Sequence, residues 1–128
     1  MQMDFDNAMD ALIEAIKADY LDYTLRTQRN DGRERDAEGL CQINRDMIAD
    51  FNDNITYKVG KKYAKIIKGD GGQRCVWGFV VATDDDKVFP KGTILKAAGW
   101  AAPARNHSRG NIMDGNGYTI QWTGPLYM

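Results

Sequence analysis

With one histidine, two cysteines and three prolines in 128 residues, the chain has little material for several kinds of chemistry. A lone imidazole, His107, leaves a zinc site or a histidine-dependent triad almost nothing to draw on. Cys41 and Cys75 have no second pair with which to build a framework, and they read as reduced core thiols rather than a disulfide. No apolar run approaches the ~18 residues of a membrane span. The acidic start, Met1 to Asp10, does not read as a signal peptide, so the expected location is the cytoplasm of the cell that makes the protein. A phosphate loop is also missing: Gly69-Asp70-Gly71-Gly72 lacks the lysine that would follow and reads as a hairpin turn. Asp84-Asp85-Asp86 lacks the glycine and distal glutamate of a calcium loop and reads as a solvated turn. His107 lies between Asn106 and Ser108 in a polar stretch and reads as a hydrogen-bonding or exposed side chain rather than a general base. No nucleophile and base form an evident pair. The expectation is a binding protein, not an enzyme, with no metal and no cofactor.

What is present fits one globular domain, with 43% hydrophobic and 27% charged residues. The net charge of −1 hides a strong asymmetry. Residues 1–57 hold 13 acidic and 6 basic side chains, a balance of −7, whereas residues 58–128 hold 5 acidic and 11 basic, a balance of +6. Such a split predicts an anionic partner on the C-terminal half, or attraction between the unlike halves of neighbouring subunits.

Phe5, Met9, Leu12, Ile13, Ile16, Tyr20 and Tyr23 recur at spacings of three and four and predict an amphipathic helix between Asp4 and Arg26. Its stripe is nearly heptad-like, suited to its own domain or to a symmetry mate. A polar loop follows around Asn30-Asp31-Gly32. A second helix is expected over residues 37–52, with Leu40, Ile43, Met47, Ile48 and Phe51 on its apolar side. Strands are then predicted at 55–59, 63–68, 74–83, 93–97 and 118–123, separated by glycine- and aspartate-rich turns. The expected fold class is α+β: a helical part (1–54) of two amphipathic helices, then a β part (55–128) forming an antiparallel meander, the whole assembling as a homo-oligomer. Gly78, inside the apolar run Cys75 to Val81, predicts a bulge or a close approach. The aromatic C-terminus, Leu126-Tyr127-Met128, is expected to tuck against a neighbour.

The candidate ligand site centres on Lys91 to Asn111, a short apolar strand followed by small residues, Trp100, and then Arg105, Asn106, His107, Arg109 and Asn111. Arginines suit phosphate oxygens, amides suit base and ribose edges, and Trp100 offers a flat apolar ring. Gln121 and Trp122 supply further groups of the same kinds. Arg26 and Arg29, on successive turns at the end of the first helix, are placed to reach a neighbouring site. The candidate ligand-binding set is therefore Arg26, Arg29, Trp100, Arg105, Asn106, Arg109 and Asn111, completed between subunits around a small anionic nucleotide.

The order of features resembles a group of small tailed-phage proteins, the Thoeris anti-defence sponge family. The likeness rests on an acidic helix ending in Arg-x-x-Arg, Tyr57-Lys-Val-Gly-Lys-Lys-Tyr63, Val76-Trp-Gly-Phe-Val-Val81, Lys91-Gly-Thr-Ile-Leu-Lys-Ala-Ala-Gly-Trp100, Arg109-Gly-Asn111 and Trp122-Thr-Gly-Pro-Leu-Tyr127. The resemblance implies a phage-encoded protein, acting in the cytoplasm of the infected host. It would sequester a cyclic ADP-ribose isomer made by immune TIR enzymes, without cleaving it, in sites between subunits. It also implies separate sites for cyclic oligonucleotides in some members, for which Lys58, Lys61 and Lys62 are candidates. The family arginine of the first helix would be Arg26 or Arg29, and the C-terminal arginine and asparagine would come from Arg105, Asn106, Arg109 and Asn111; the chain departs from the pattern if that arginine falls at Gln121. Rival readings are a nucleic-acid binder using the lysines of residues 58–68, a virion or assembly subunit, and an enzyme acting through His107 on the same nucleotide.

Overall fold

The computed structural model describes residues 5–27, 39–70, 73–105, 108–113 and 120–125. Helix α1 (Phe5–Thr27) and helix α2 (Gln42–Asn54) precede strands β1 (Thr56–Val59), β2 (Tyr63–Asp70), β3 (Gln73–Val81) and β4 (Ile94–Leu95), and the short strands β5 (Ile120–Gln121) and β6 (Gly124–Pro125) follow. The first four strands form one antiparallel sheet in the order β1-β2-β3-β4. The α+β class and the meander are as expected from sequence. The last strand is not part of the meander: β5 pairs with β6 in a separate two-stranded sheet.

The predicted stripe of α1 does become the core. Ala8, Met9, Leu12, Ile13, Ile16 and Tyr20 are buried against Phe51, Ile55, Ala64, Ile66, Trp77, Val80, Ile94 and Ile112. Each fully buried aliphatic side chain in this cluster contributes about 1.5–3 kcal/mol relative to exposure. The heptad-like face is thus used inside its own chain, and only Tyr23, one turn beyond Tyr20, emerges from it.

Helix α2 departs from its sequence pattern. It starts at Gln42, and of its apolar residues Phe51 is buried and Ile48 partly so. Ile43 and Met47, expected in the core, are 55% and 50% exposed. The reason is close packing at the far end of the helix: Gly69 of β2 lies so near Asn54 that a Cβ there would come within 2.7 Å of the Asn54 Cβ. That approach seats the last turn of α2 on the sheet, whereas the side chains of its first two turns are exposed or half-buried. Cys75 also differs from expectation, for it is exposed on β3, whereas Cys41 is buried just ahead of α2; neither is in a disulfide.

The bulge expected at Gly78 is present one residue away. Ile66 pairs with Gly78 and Ile67 with Val76, so Trp77 is the extra residue. The bulge turns Trp77 into the helix-side core, where its indole N–H donates to the Gln121 carbonyl at 2.8 Å. That bond ties the β5–β6 hairpin to the main sheet, and Asp19 of α1 accepts the Trp122 backbone N–H at 2.8 Å on the other side.

The opposite face of the sheet carries a second, smaller cluster of Phe79, Val81, Phe89 and Leu95, with Tyr63, Val76 and Ala97 packed against it. The segment between β3 and β4 and the loop after β4 cover this face. Beyond that loop, residues 109–112 run back beside β4, with Arg109 N–H donating to Ile94 O and Ile94 N–H to Gly110 O, both at 2.8 Å.

Candidate anion-binding face

The β1–β2 connection fixes the geometry of the basic face. Gly60 N–H donates to Tyr63 O at 2.8 Å, which leaves Lys61 and Lys62 as a two-residue turn. Counting outward through Val59–Ala64, that turn places Lys58 directly opposite Lys65. Lys65 pairs in turn with Phe79 and Phe79 with Leu95, so the row belongs to the face away from the helices. Among the described residues no carboxylate pairs with Lys58, Lys61, Lys62 or Lys65. Like charges directly opposite each other in a sheet are destabilising. Among the described residues the Lys58–Lys65 pair is therefore uncompensated.

Trp100 stands over one end of that row. Beyond β4, Ala97 bridges Pro103, and Ala98 and Gly99 N–H both donate to Ala102 O, so residues 98–102 form a closed turn. The turn holds the indole against β2, with Lys65 Nζ 3.8 Å from the ring centroid, while leaving Trp100 53% exposed. A cation and an indole so arranged attract by about 0.5–1 kcal/mol at an exposed site.

Arg105 is committed to the protein itself. Its Nη1 donates to the Tyr63 hydroxyl at 2.6 Å and to Asp86 Oδ2 at 2.8 Å, and its Nη2 donates to Asp86 Oδ1 at 3.0 Å. Asp86 also accepts the Val88 and Phe89 N–H groups, both at 2.9 Å. The bidentate Arg105 bond, followed by these two backbone bonds, holds the Asp86 carboxyl well below the usual carboxylate range; Asp86 and Tyr63 hold Arg105 above its own. Asp86 is therefore no solvated turn residue: its side chain is 11% exposed and organises the loop. A cavity of about 470 Å³ beside this pair is lined by Lys61, Lys62, Tyr63, Thr83, Asp85, Asp86 and Arg105.

The other predicted ligand residues divide further. Arg109 is 3% exposed, part of the packed segment beside β4 and not an open loop side chain. Asn111 is spent on structure, its amide donating to Lys91 O at 3.1 Å and its Oδ1 accepting Met113 N–H at 2.7 Å. Gly92 makes this possible, with φ +94° and no room for a Cβ against Asn111 and Met113. Arg26 is exposed and bonded through Nε to Asp22 Oδ2 at 3.0 Å, an i,i+4 pair on the surface of α1. Arg29, Asn106 and His107 lie outside the described residues, as do residues 126–128. Within one chain, then, Trp100 meets Lys65, Arg105 lines a cavity with Lys61, Lys62 and its partner Asp86, Asn111 is hydrogen-bonded within its own loop, and Arg109 is buried beside β4.

A family model, described as a family of unknown function (DUF7717), matches residues 1–128. The chain belongs to the DUF7717 family. No curated protein and no solved structure matches it.

Sequence reasoning missed Lys65 as a member of the site and Asp86 as its organiser. The first carried a readable signal: Gly60-Lys61-Lys62-Tyr63 between two strand patterns is a two-residue turn, and its register puts 58 opposite 65. The second carried none, because Asp86 meets Arg105 across 19 residues of chain.

Proposed function

We propose that this protein binds a small cyclic nucleotide and holds it without cleaving it, as a phage-encoded sponge for an immune signal acting in the infected host's cytoplasm. The observation that carries the reading is the cross-strand pair Lys58–Lys65, uncompensated by any described carboxylate and walled by the exposed Trp100. Two adjacent ammonium groups attract phosphate oxygens, and the indole edge gives an apolar surface for a base or ribose. Lys61 and Lys62 extend the cation row at the turn. These groups supply charge and contact area, which is what retention requires. The resemblance to the Thoeris sponges gives the ligand class, a cyclic ADP-ribose isomer or a cyclic oligonucleotide. A homo-oligomer completes the site, with Arg26 delivered by a neighbour.

The test mixes purified protein with a panel of cyclic ADP-ribose isomers and cyclic oligonucleotides, removes free ligand by filtration, and analyses what heat denaturation releases. Recovery of one compound intact supports sequestration. Altered products mean an enzyme, and no depletion of any compound sinks the nucleotide reading.

A second reading has its own support in the four lysines along a single hairpin, which suit the regular phosphates of DNA or RNA. If each neutralises one phosphate of duplex DNA, the logarithm of the binding constant falls with the logarithm of salt at a slope of about −3 to −4. Binding to a random duplex with that slope favours this reading.

A further inference from the structure

On the helix side of the sheet lies a groove of about 410 Å³ to which the ligand reading assigns no part. Tyr20, Phe51 and Trp122 make its floor: the Tyr20 and Phe51 rings stack at 4.2 Å, and Trp122 meets Tyr20 edge-on at 5.0 Å. One wall is Ile43 and Met47, one helical turn apart on α2 and half exposed. Asp46 and Asp50 rim the groove. Each is held by a side-chain amide, Gln42 at 2.8 Å and Asn54 at 3.0 Å, and no cation among the described residues pairs with either. Lys68 places its own ammonium by the floor, donating to Trp122 O at 3.1 Å, but pairs with neither rim carboxylate; an apolar groove so rimmed selects an apolar element with positive charge beside it.

The chain carries such an element on its other face. Residues 98–102 are all exposed and consist of Trp100 among alanines and a glycine, a narrow turn whose indole rests on Lys65 with its other surface half exposed. Lys65 lies against the ring and Lys58 is its cross-strand neighbour, neither paired with a carboxylate among the described residues. Knob and groove lie on opposite faces of one sheet, so neither can satisfy the other within a single copy.

We propose that the Trp100 turn of one copy seats in the Tyr20–Phe51–Trp122 groove of the next, with Lys58 and Lys65 against Asp46 and Asp50. The contact is heterologous: each copy offers a knob to one neighbour and a groove to another, which yields a ring when the rotation closes. The geometry also extends the reading of an interfacial ligand site. Tyr23 packs on Trp122 at 5.2 Å, and Arg26 follows it by one turn of α1, so the groove-bearing copy carries Arg26 toward the lysine pair of its neighbour.

The test uses no nucleotide, so it can fail while the ligand reading stands, and the reverse. Wild type, Trp100→Ala and Met47→Glu are compared by sedimentation equilibrium, with circular dichroism and thermal melts showing that each variant is folded. Wild type should self-associate, more weakly as salt rises. Each variant alone should be at least about tenfold weaker, the loss expected on removing one aromatic anchor. The decisive sample is the mixture. Trp100→Ala keeps its groove and Met47→Glu keeps its knob, so together they should form one-to-one dimers that neither forms alone. Asp46→Lys with Asp50→Lys, which leaves the apolar floor intact, should weaken wild-type association in the same way. A monomeric wild type at high concentration, variants that assemble like wild type, or a mixture that stays monomeric would each overturn the proposal.

Discussion

Lys58→Glu should make the protein more stable and a worse ligand binder. In the native sheet Lys58 and Lys65 face each other across β1 and β2 with no described carboxylate between them. A directly opposed pair of charges is worth about 0.2–1 kcal/mol, unfavourable when alike and favourable when opposite. Reversing one sign removes the first term and adds the second, a gain of about 0.4–2 kcal/mol. For a domain of this size that raises Tm by roughly 1–10 °C. Lys65 keeps its place over Trp100, so the indole contact is undisturbed. Ligand affinity moves the other way. Losing one charge-assisted hydrogen bond costs about 1.5–3 kcal/mol, which weakens Kd by about 10- to 100-fold.

The two measurements are a thermal melt and a calorimetric titration with whichever nucleotide wild type retains. Lys58→Gln, which removes repulsion without adding attraction, should fall between the two in stability. Near 1 M salt the Debye length shrinks to about 3 Å, and the stability difference should shrink with it. A variant that melts below wild type in low salt shows that the lysine pair is not strained. A variant that binds as tightly as wild type removes Lys58 from the site.

Two further outcomes test the assignment of the arginines. Arg109→Ala truncates a side chain that is 3% exposed in a segment bonded along β4, and should cost about 1–4 kcal/mol in urea unfolding; a variant of wild-type stability that loses ligand would return Arg109 to the binding set. Asp86→Asn keeps an acceptor for the Val88 and Phe89 N–H groups but loses the charge that Arg105 grips. Because the folded Asp86 pKa is depressed, its contribution is full above the ordinary carboxylate value and is lost only as pH falls through the much lower folded value. Wild type should therefore melt higher than Asp86→Asn at neutral pH and at pH 4 to 5, and the two melts should converge only in strong acid; equal melting at neutral pH would refute the role given to this pair.

The legible parts of the fold were those set by local periodicity. The α1 stripe follows from spacings of three and four, the strands from short apolar runs between turn residues, and the bulge from a glycine inside one such run, none of which needs a distant partner to be read. The Ile43–Met47 stripe on α2 misled because period alone says that a face is apolar, not what covers it. Arg105 and Arg109 misled for a related reason. Both fall in a glycine- and alanine-rich polar stretch that reads as an open loop, yet long-range pairing buries one beside β4 and gives the other to Asp86 and Tyr63. Residue type announced phosphate chemistry in each case; tertiary contacts use the Arg105 guanidinium, and packing beside β4 buries Arg109.

The charge asymmetry of the sequence has a structural form that joins these points. The helices, which carry much of the acid, lie on one face of the sheet, and the row from Lys58 to Lys65 lies on the other. A single sheet thereby becomes a plate with an acidic side and a basic side, about 10 Å apart or a little more across a packed layer. At ordinary salt that separation is comparable to the screening length, so the two sides scarcely neutralise each other within one copy. Attraction between them is then available chiefly to a second copy and to a ligand held beside it, and the mixed-variant and nucleotide-release experiments read those two uses of the basic face separately.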